Sequence, residues 1–280
     1  GFFTGAGLQC SGTSPDISNC IFKDNASTNA FGGGIYLSAS NAVFTNCVIT
    51  GNSVVSGVGA SGGGIYCGGA SSPTFMNCTI TGNTAESVGG GLTIAGGSAY
   101  LIQNCIFWGN TAGTGENEIQ SSVAIPIDHS NIQGDCPPNI TCVDCISVNP
   151  GFVVPDYHLP EDSLCIDAGS DIGAPLDDID GEDRPNPFWG IGVTDIGADE
   201  YYEPCLNHGD VNGDGSLTAS DAQNAFLITL GLMTPTYDER CAADCDGSGS
   251  VTAADAQSIF LAVLGMGSGC EDTILERDSI

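Results

Sequence analysis

The chain has 280 residues, of which 41 are glycine and 14% are charged, with a formal net charge of −30. That length predicts two or three domains, and an ordinary hydrophobic content of 41% excludes a disordered chain. With only Lys23, Arg184, Arg240 and Arg277 to set against the acids, nucleic acid and anionic membrane surfaces are excluded as partners.

Residues 1–116 carry a phrase repeated four times. The pairs Asn19-Cys20, Asn46-Cys47, Asn77-Cys78 and Asn104-Cys105 follow one another at intervals of 27, 31 and 27 residues, and Asn25, Asn52, Asn83 and Asn110 keep step. Glycines precede each pair, as in Gly32-Gly33-Gly34-Ile35 and Gly62-Gly63-Gly64-Ile65. A fixed period in this range marks a solenoid, whose units bury their apolar faces only against neighbours. Within a unit the alternation has period two, as in Phe75-Met76-Asn77-Cys78-Thr79-Ile80-Thr81, which reads as short strands. The expected fold is mainly β, a right-handed parallel β-helix with three strands per turn. The cysteines stack inward as small apolar residues. The second asparagines take left-handed turns and bond to one another up the stack. The glycines form corners too tight for a side chain.

A weaker fifth coil follows, with Ser130-Asn131-Ile132 aligned to Asn-Cys-Ile, and the β-helix is expected over 1–148. Cys136 and Cys142 are spaced for a local disulfide, leaving Cys145 free or paired with Cys165. Fourteen cysteines point to an exported, disulfide-bearing chain, secreted or at the cell surface. Apolar runs stay below the ~18–20 residues of a membrane-spanning helix. The chain opens inside a coil with no signal peptide, which reads as a mature or truncated product.

The next segment, 149–204, contains Asn149-Pro150-Gly151-Phe152, Ser163-Leu164-Cys165-Ile166-Asp167-Ala168-Gly169, Asp178-Ile179-Asp180-Gly181-Glu182-Asp183-Arg184-Pro185 and Asp195-Ile196-Gly197-Ala198-Asp199-Glu200. It resembles the C-terminal segment of secreted bacterial β-helix proteins of the choice-of-anchor type. In physical terms it is expected to be an irregular cap over the open strand edges of the last coil. Arg184 is expected to pair with Asp195 or Glu200, and the acids at 177–183 offer oxygens for Ca²⁺.

Residues 205–280 hold the most specific signal. Asp210-Val211-Asn212-Gly213-Asp214-Gly215-Ser216-Leu217-Thr218-Ala219-Ser220-Asp221 places oxygens at loop positions 1, 3, 5, 7, 9 and 12, with glycine at 6, which is how a chain wraps a seven-coordinate hard cation. Asp210, Asn212, Asp214 and Asp221 are direct ligands in this reading, Ser216 acts through its carbonyl and Thr218 through water. A second loop, with Asp244, Asp246, Ser248, Ser250, Thr252 and Asp255, fits the same template, so two Ca²⁺ ions are expected. Each loop runs into an amphipathic helix, Ala219–Leu230 and Ala253–Leu264, with Ala222, Phe226, Leu227 and Leu230 at helical spacing. Two such loop-helix units resemble dockerin type I modules, and that resemblance implies a calcium-folded docking domain with a protein partner. Residues 219–220 and 253–254 depart from the usual contact pair, which points to a partner other than a standard cohesin. Disulfides are expected between Cys205 and Cys270 and between Cys241 and Cys245, since so small a module needs metal and staples.

Many β-helix proteins act on polysaccharides. Here the acids of the coils, Asp16, Asp24, Glu86, Glu116 and Glu118, are scattered in turns, and His129, His158 and His208 lie outside the four clear coils. The expectation is therefore a non-catalytic structural or adhesive protein with a calcium-dependent docking module. Its partner is another protein, a second copy included, with head-to-tail filaments forming through the open edge of the first coil. Surface glycans are a further partner, through Tyr36, Tyr66 or Trp108. The alternative is a polysaccharide-processing lyase or glycosidase held on a scaffold by its docking module.

Overall fold

The computed structural model describes residues 6–28, 31–55, 59–97, 100–134, 136–152, 157–185, 192–202, 209–245, 250–266 and 270, the side chains of 237 and 238 excepted. These residues fall into two compact units, one running to Tyr201 and the other starting at Tyr202.

In the first unit every strand pairs parallel with its equivalents one coil before and after. The first sheet stacks Leu8–Ser11, Ile35–Ser38, Ile65–Gly68, Leu92–Ile94 and Ile119–Ser121. The second stacks Asp16–Ser18, Val43–Thr45, Thr74–Met76, Leu101–Gln103, Ile125–Asp128 and Ile140–Val143. The third contains Ile21–Lys23, Val48–Thr50, Thr79–Thr81, Ile106–Trp108 and Asn131–Ile132, and the fourth Ala26–Ser27, Ser53–Val54, Thr84–Ala85 and Thr111–Ala112. A coil thus has four sides where three were expected. The fourth strand is only two residues long, too short to register as alternation.

Alternate side chains of these strands fill the interior. Phe44 and Phe75 stack with ring centroids 5.2 Å apart, and Cys47, Cys78 and Cys105 are fully buried in the same core. The hydrogen bond with Cys78, followed by burial, pushes the Cys47 thiol well above its ordinary range, and burial, followed by the hydrogen bond with Cys105, does the same to Cys78. Glycine at the corners is enforced by contact, since a Cβ at Gly33 would strike the carbonyl oxygen of Gly63.

The two asparagines of the phrase divide their work differently from expectation. The left-handed turn belongs to the first, with φ of 51° at Asn19, 49° at Asn46, 48° at Asn77 and 52° at Asn104. Asparagine tolerates that region because its short side chain bonds locally. At the second corner the positive φ falls one residue earlier, at Asp24, Gly51, Gly82 and Gly109, which leaves the second asparagine free to point inward. Asn25 Nδ2 donates to Asn52 Oδ1, Asn52 Nδ2 to Asn83 Oδ1 and Asn83 Nδ2 to Asn110 Oδ1, each at 2.9 Å. The same acceptor oxygens also receive the backbone N–H of Asn25, Asn52 and Asn83. The other amide hydrogens of Asn52, Asn83 and Asn110 go to the carbonyls of Phe22, Ile49 and Ile80, at 2.8 Å. Asn83 therefore has its buried amide satisfied on both sides.

The column ends on Glu118. Its Oε1 accepts the Asn110 N–H at 3.2 Å and its Oε2 accepts Asn110 Nδ2. Next to it Gln133 Oε1 takes the Gly109 N–H at 2.7 Å, and Asn117 Oδ1 takes the Ala112 N–H at 2.8 Å. Three side chains so replace the coil that would have paired with Thr111–Ala112, closing that sheet edge.

The fifth coil joins one residue out of the expected alignment. Asn131 pairs with Ile106 and Ile132 with Phe107, so His129 (φ 40°) takes the place of Asn104 and Ser130 that of Cys105. Asp144 (φ 48°) and Cys145 continue the pattern, since Ile146 N bonds to Ser130 O as Ile106 N bonds to Cys78 O. The left-handed corner sets the register here, not residue identity. Cys145 and Cys165 are both free thiols, Cys145 because it extends the thiol column.

The described residues of 157–201 do not close the end of the solenoid as a cap. They run along its side as a strap, because the first-asparagine column offers a row of amide donors there. Asn104 Nδ2 donates to Ser170 O (2.8 Å), Asn46 to Asp177 O (2.7 Å), Asn19 to Asp178 O (3.0 Å) and Asn77 to Asp195 O (3.2 Å). The chain thus travels out to the first coil and returns, and Gly197 N meets Asn104 O at 2.9 Å. A second apolar cluster of Ile106, Leu159, Cys165 and Ile196, with Trp108 and Tyr201 packed on it, lies under the strap.

Replacing Asn83 by Ala orphans two donors of Asn52 and takes one donor each from the Ile49 carbonyl and Asn110 Oδ1, and we expect a loss of about 3 kcal/mol or more in urea unfolding, whereas exposed Thr84→Ala stays within about 0.5 kcal/mol. Burial raises the Glu118 pKa from 4.5 to about 7. The folded chain then holds the proton more tightly than the unfolded one, so this contribution is complete below pH about 4.5 and is lost as pH rises through about 7, a span worth about 3 kcal/mol. Stability measured across that window should fall less steeply in Glu118→Gln than in the parent; equal slopes would show that Glu118 does not titrate there.

Candidate metal centre

The second unit contains α1 (Ala219–Thr229), α2 (Tyr237–Ala243) and α3 (Ala253–Val263). Each begins with a reciprocal capping box, Thr218 with Asp221, Thr236 with Glu239 and Thr252 with Asp255. Sequence reading missed α2, which is a short helix of mixed charge with little apolar periodicity. Of the apolar residues at helical spacing, Phe226 and Leu230 are exposed, because α1 buries its small face of Asp221, Ala222 and Ala225. The core is small: Val211, Ala222, Ala225, Ala243, Ala256 and Ile259, with Cys245 and Cys270.

The position-12 acids do two tasks at once. Asp221 Oδ2 accepts Thr218 N (2.8 Å) and Thr218 Oγ1 (2.9 Å), while its Oδ1 reaches back to Asn212 N at 3.1 Å. Asp210 Oδ1 and Oδ2 accept Asp214 N and Gly215 N, Asn212 Oδ1 accepts Asp214 N, and Asp214 Oδ1 accepts Ser216 N. Four side-chain oxygens are thereby turned into the loop. Asp221 is fully buried, and among the described residues its carboxylate is met by amides and a hydroxyl and by no basic side chain. In the second loop Asp255 repeats the bonds to Thr252 N (2.8 Å) and Oγ1 (2.7 Å) and is 1% exposed. Asp244 caps the end of α2 and Ser250 lies at the far side of the loop. Asp246 and Ser248 lie outside the described residues, as do Cys205 and His208.

These all-oxygen donor sets suit a hard divalent cation. Asp210, Asn212, Asp214, the Ser216 carbonyl, Thr218 and Asp221 would hold one ion, and Asp244, Ser250, Thr252 and Asp255 are the described part of a second set. When bound, such an ion neutralises the buried carboxylates and cross-links loop to helix.

The disulfides differ in part from expectation. Cys136 pairs with Cys142. Cys270 pairs with Cys245 and not with Cys205, and Cys241 does not pair with Cys245 although it too is disulfide-bonded. The helix ends between them: Asp244 leaves it at ψ 83°, which turns Cys245 into the core where Cys270 packs.

Two other regions gather polar groups. Beside Glu118 lies an open cleft of about 640 Å³ that Asn110, Glu116, Asn117, Gln133 and Pro137 help to line. On the strap, Arg184 Nη1 lies 3.1 Å from Glu200 Oε2, both side chains buried, and the guanidinium donates to the carbonyls of Asp195 and Ala198. Asp195 accepts the N–H groups of Asp167 and Tyr201, and burial with the adjacent Glu200 raises its pKa to about 8. Among the described residues, three groups of acids and histidines bring ligand atoms within 4.8 Å of one another: Asp128–His129–Asp144, His158–Asp180–Asp199 and Asp178–Glu182–Asp199. Asp210, Asp214 and Asp221 are not such a group, their oxygens being turned to loop amides. Sequence spacing could not show the role of Asp199, because 17 residues separate it from Glu182. Among the described residues no helix is long and apolar enough to cross a membrane.

A family model described as the right handed beta helix region matches residues 6–152. Comparison with the curated proteins and with the solved structures found no match. Matched over more than half its length, and built of parallel coils stacked in register, the chain belongs to the right-handed β-helix family.

Proposed function

We propose that this is a secreted, non-catalytic structural or adhesive β-helix protein whose C-terminal helical unit is a calcium-dependent, dockerin-like docking module. The observation that carries the reading is the buried Asp221, which caps α1 and organises the first loop while, among the described residues, its partners are amides and a hydroxyl. Asp255 repeats the capping bonds 34 residues on, to Thr252 N and Oγ1. The two Ca²⁺ ions in this proposal hold the loops, and the helices they brace present the partner surface. That surface is apolar and doubled: Phe226 on α1 and Leu230 at its C-cap are about half exposed, as are their equivalents Phe260 on α3 and Leu264 at its C-cap. Exposed apolar side chains repeated on two helices are what a protein partner covers.

The non-catalytic part of the reading rests on the acids of the coils. Glu118, the most buried, uses both oxygens to end the asparagine column. The partner is a protein, a second copy of the chain among the candidates, with filaments as the product of a self-complementary contact. Surface glycans are a further partner in this proposal. Secretion is supported by the disulfides Cys136–Cys142 and Cys245–Cys270.

Circular dichroism and limited proteolysis of the full chain in calcium and then in chelator test the module. We expect chelation to remove most of the helical signal and to open residues 209–270 to protease, and Asp221→Asn with Asp255→Asn to do the same in the presence of calcium. Unchanged helicity and resistance after chelation would contradict the calcium assignment. For the docking surface, light scattering and electron microscopy with calcium should show assemblies that Phe226→Asp with Phe260→Asp disperses without loss of helicity; monodisperse parent protein in calcium and chelator alike would remove self-assembly.

A further inference from the structure

The open cleft at the end of the fourth sheet has a volume of about 640 Å³, within the range of about 300–1,000 Å³ that small-ligand sites occupy. Two side-chain amides line it, and both are pinned by their oxygens. Asn117 Oδ1 accepts the Ala112 N–H at 2.8 Å, and Gln133 Oε1 accepts the Gly109 N–H at 2.7 Å. Each oxygen is committed to closing the sheet edge, so neither amide can turn over without orphaning a backbone donor. Their NH₂ groups are what remains. Among the described residues neither Asn117 Nδ2 nor Gln133 Nε2 finds an acceptor.

The other walls differ in kind. Glu116 is half-buried, and its carboxylate accepts from no described residue. Glu118 lies in the same wall with Oε1 and Oε2 both spent on Asn110. Pro137 and Pro138 add an apolar surface. The Cys136–Cys142 disulfide and the bond from Ile140 N to Pro137 O, 3.0 Å long, hold that surface in place. With amides and prolines both fixed, the cleft is preformed, which spares much of the ordering cost of binding.

The groups left unspent decide the ligand. A cation requires acceptors, and of the carboxylate and amide oxygens named here only those of Glu116 are uncommitted. An anion meets Glu116 and a chain of net charge −30. Amide donors beside one carboxylate acceptor and an apolar wall suit a neutral molecule whose hydroxyls both donate and accept and whose C–H face packs on proline. That is the chemistry of a pyranose ring.

We propose that this cleft binds a pyranose unit of a neutral glycan, with Asn117 Nδ2 and Gln133 Nε2 donating to its hydroxyls, Glu116 accepting from them, and Pro137 and Pro138 packing against its C–H face. The proposal deepens the adhesive reading, in which surface glycans are partners, and rests on that reading for its use. It moves the contact from Tyr36 and Tyr66 of the first sheet to the end of the fourth, and it needs no calcium.

Saturation-transfer-difference nuclear magnetic resonance on the full chain tests the site, with the methyl glycosides of glucose, galactose, mannose and N-acetylglucosamine as neutral probes and glucuronate and spermidine as charged ones. We expect a methyl glycoside to bind equally in calcium and in chelator, and neither charged probe to displace it. N117D with Q133E keeps an oxygen on each backbone N–H while removing the amide donors. This pair should leave the unfolding temperature in place and weaken binding by about tenfold or more, the loss of two neutral hydrogen bonds. E116A should weaken it too, and it decides alone if the paired variant does not fold. Binding unaltered by these substitutions would overturn the proposal, as would binding that Y36A with Y66A abolishes and N117D with Q133E retains; either result leaves a glycan partner standing. Absence of binding by every methyl glycoside would overturn the site and the glycan partner together, and the calcium module would be untouched.

Discussion

The solenoid depends on a buried column of side-chain amides. A chain with so few charges and so many glycines has weak local preferences, and short strands alone do not hold a coil in register. The asparagines at 25, 52, 83 and 110 supply that register, because each side-chain oxygen from Asn52 onward accepts both the amide and the backbone N–H of the asparagine one coil before it, and the amides of Asn52, Asn83 and Asn110 each also donate to a carbonyl of the preceding coil. A slip by one residue would bury four polar groups without partners, a penalty of several times ~1–3 kcal/mol. The aromatic and aliphatic interior then packs on a frame already fixed.

The same phrase works outward. Its first asparagines turn the corner with positive φ, and that leaves their amides facing sideways, where the strap uses them. Among its described residues the strap has no strand or helix beyond an isolated bridge between Asp177 and Asp183. Its backbone donors are satisfied instead by buried carboxylates, Asp178, Asp195 and Asp199, which explains why a segment dense in acids folds against a nearly neutral solenoid. A run of exposed acids would have remained solvated and mobile; here the acids are the internal framework.

Much of this was legible in the chain. Period, alternation and glycine corners identify the stacked coils, and loop spacing identifies the two oxygen-rich turns that cap α1 and α3. The fourth side of the coil escaped because two-residue strands carry no pattern, and the fifth coil was misaligned because His129 and Asp144 keep the left-handed corner while changing its identity. The strap was taken for an end cap since nothing in its sequence names the surface it meets; only the sideways amides of another segment decide that. Helical spacing of apolar residues likewise does not say which of them face inward: alanines form the buried face of α1, and Phe226 and Leu230 are exposed. Residues that act through distant partners, Asp199 and Glu118 above all, have no local signature.

The central claim is that the inner asparagine amides, not the strands alone, hold the coils together. Side-chain NH₂ hydrogen exchange, followed by nuclear magnetic resonance at Asn52, Asn83 and Asn110 with exposed Asn41 as the reference, tests it most directly. The account predicts that the three inner amides exchange only with global unfolding, as slowly as the backbone N–H groups of the third sheet. Exchange of Asn83 at the rate of Asn41, with the strands still protected, would contradict it.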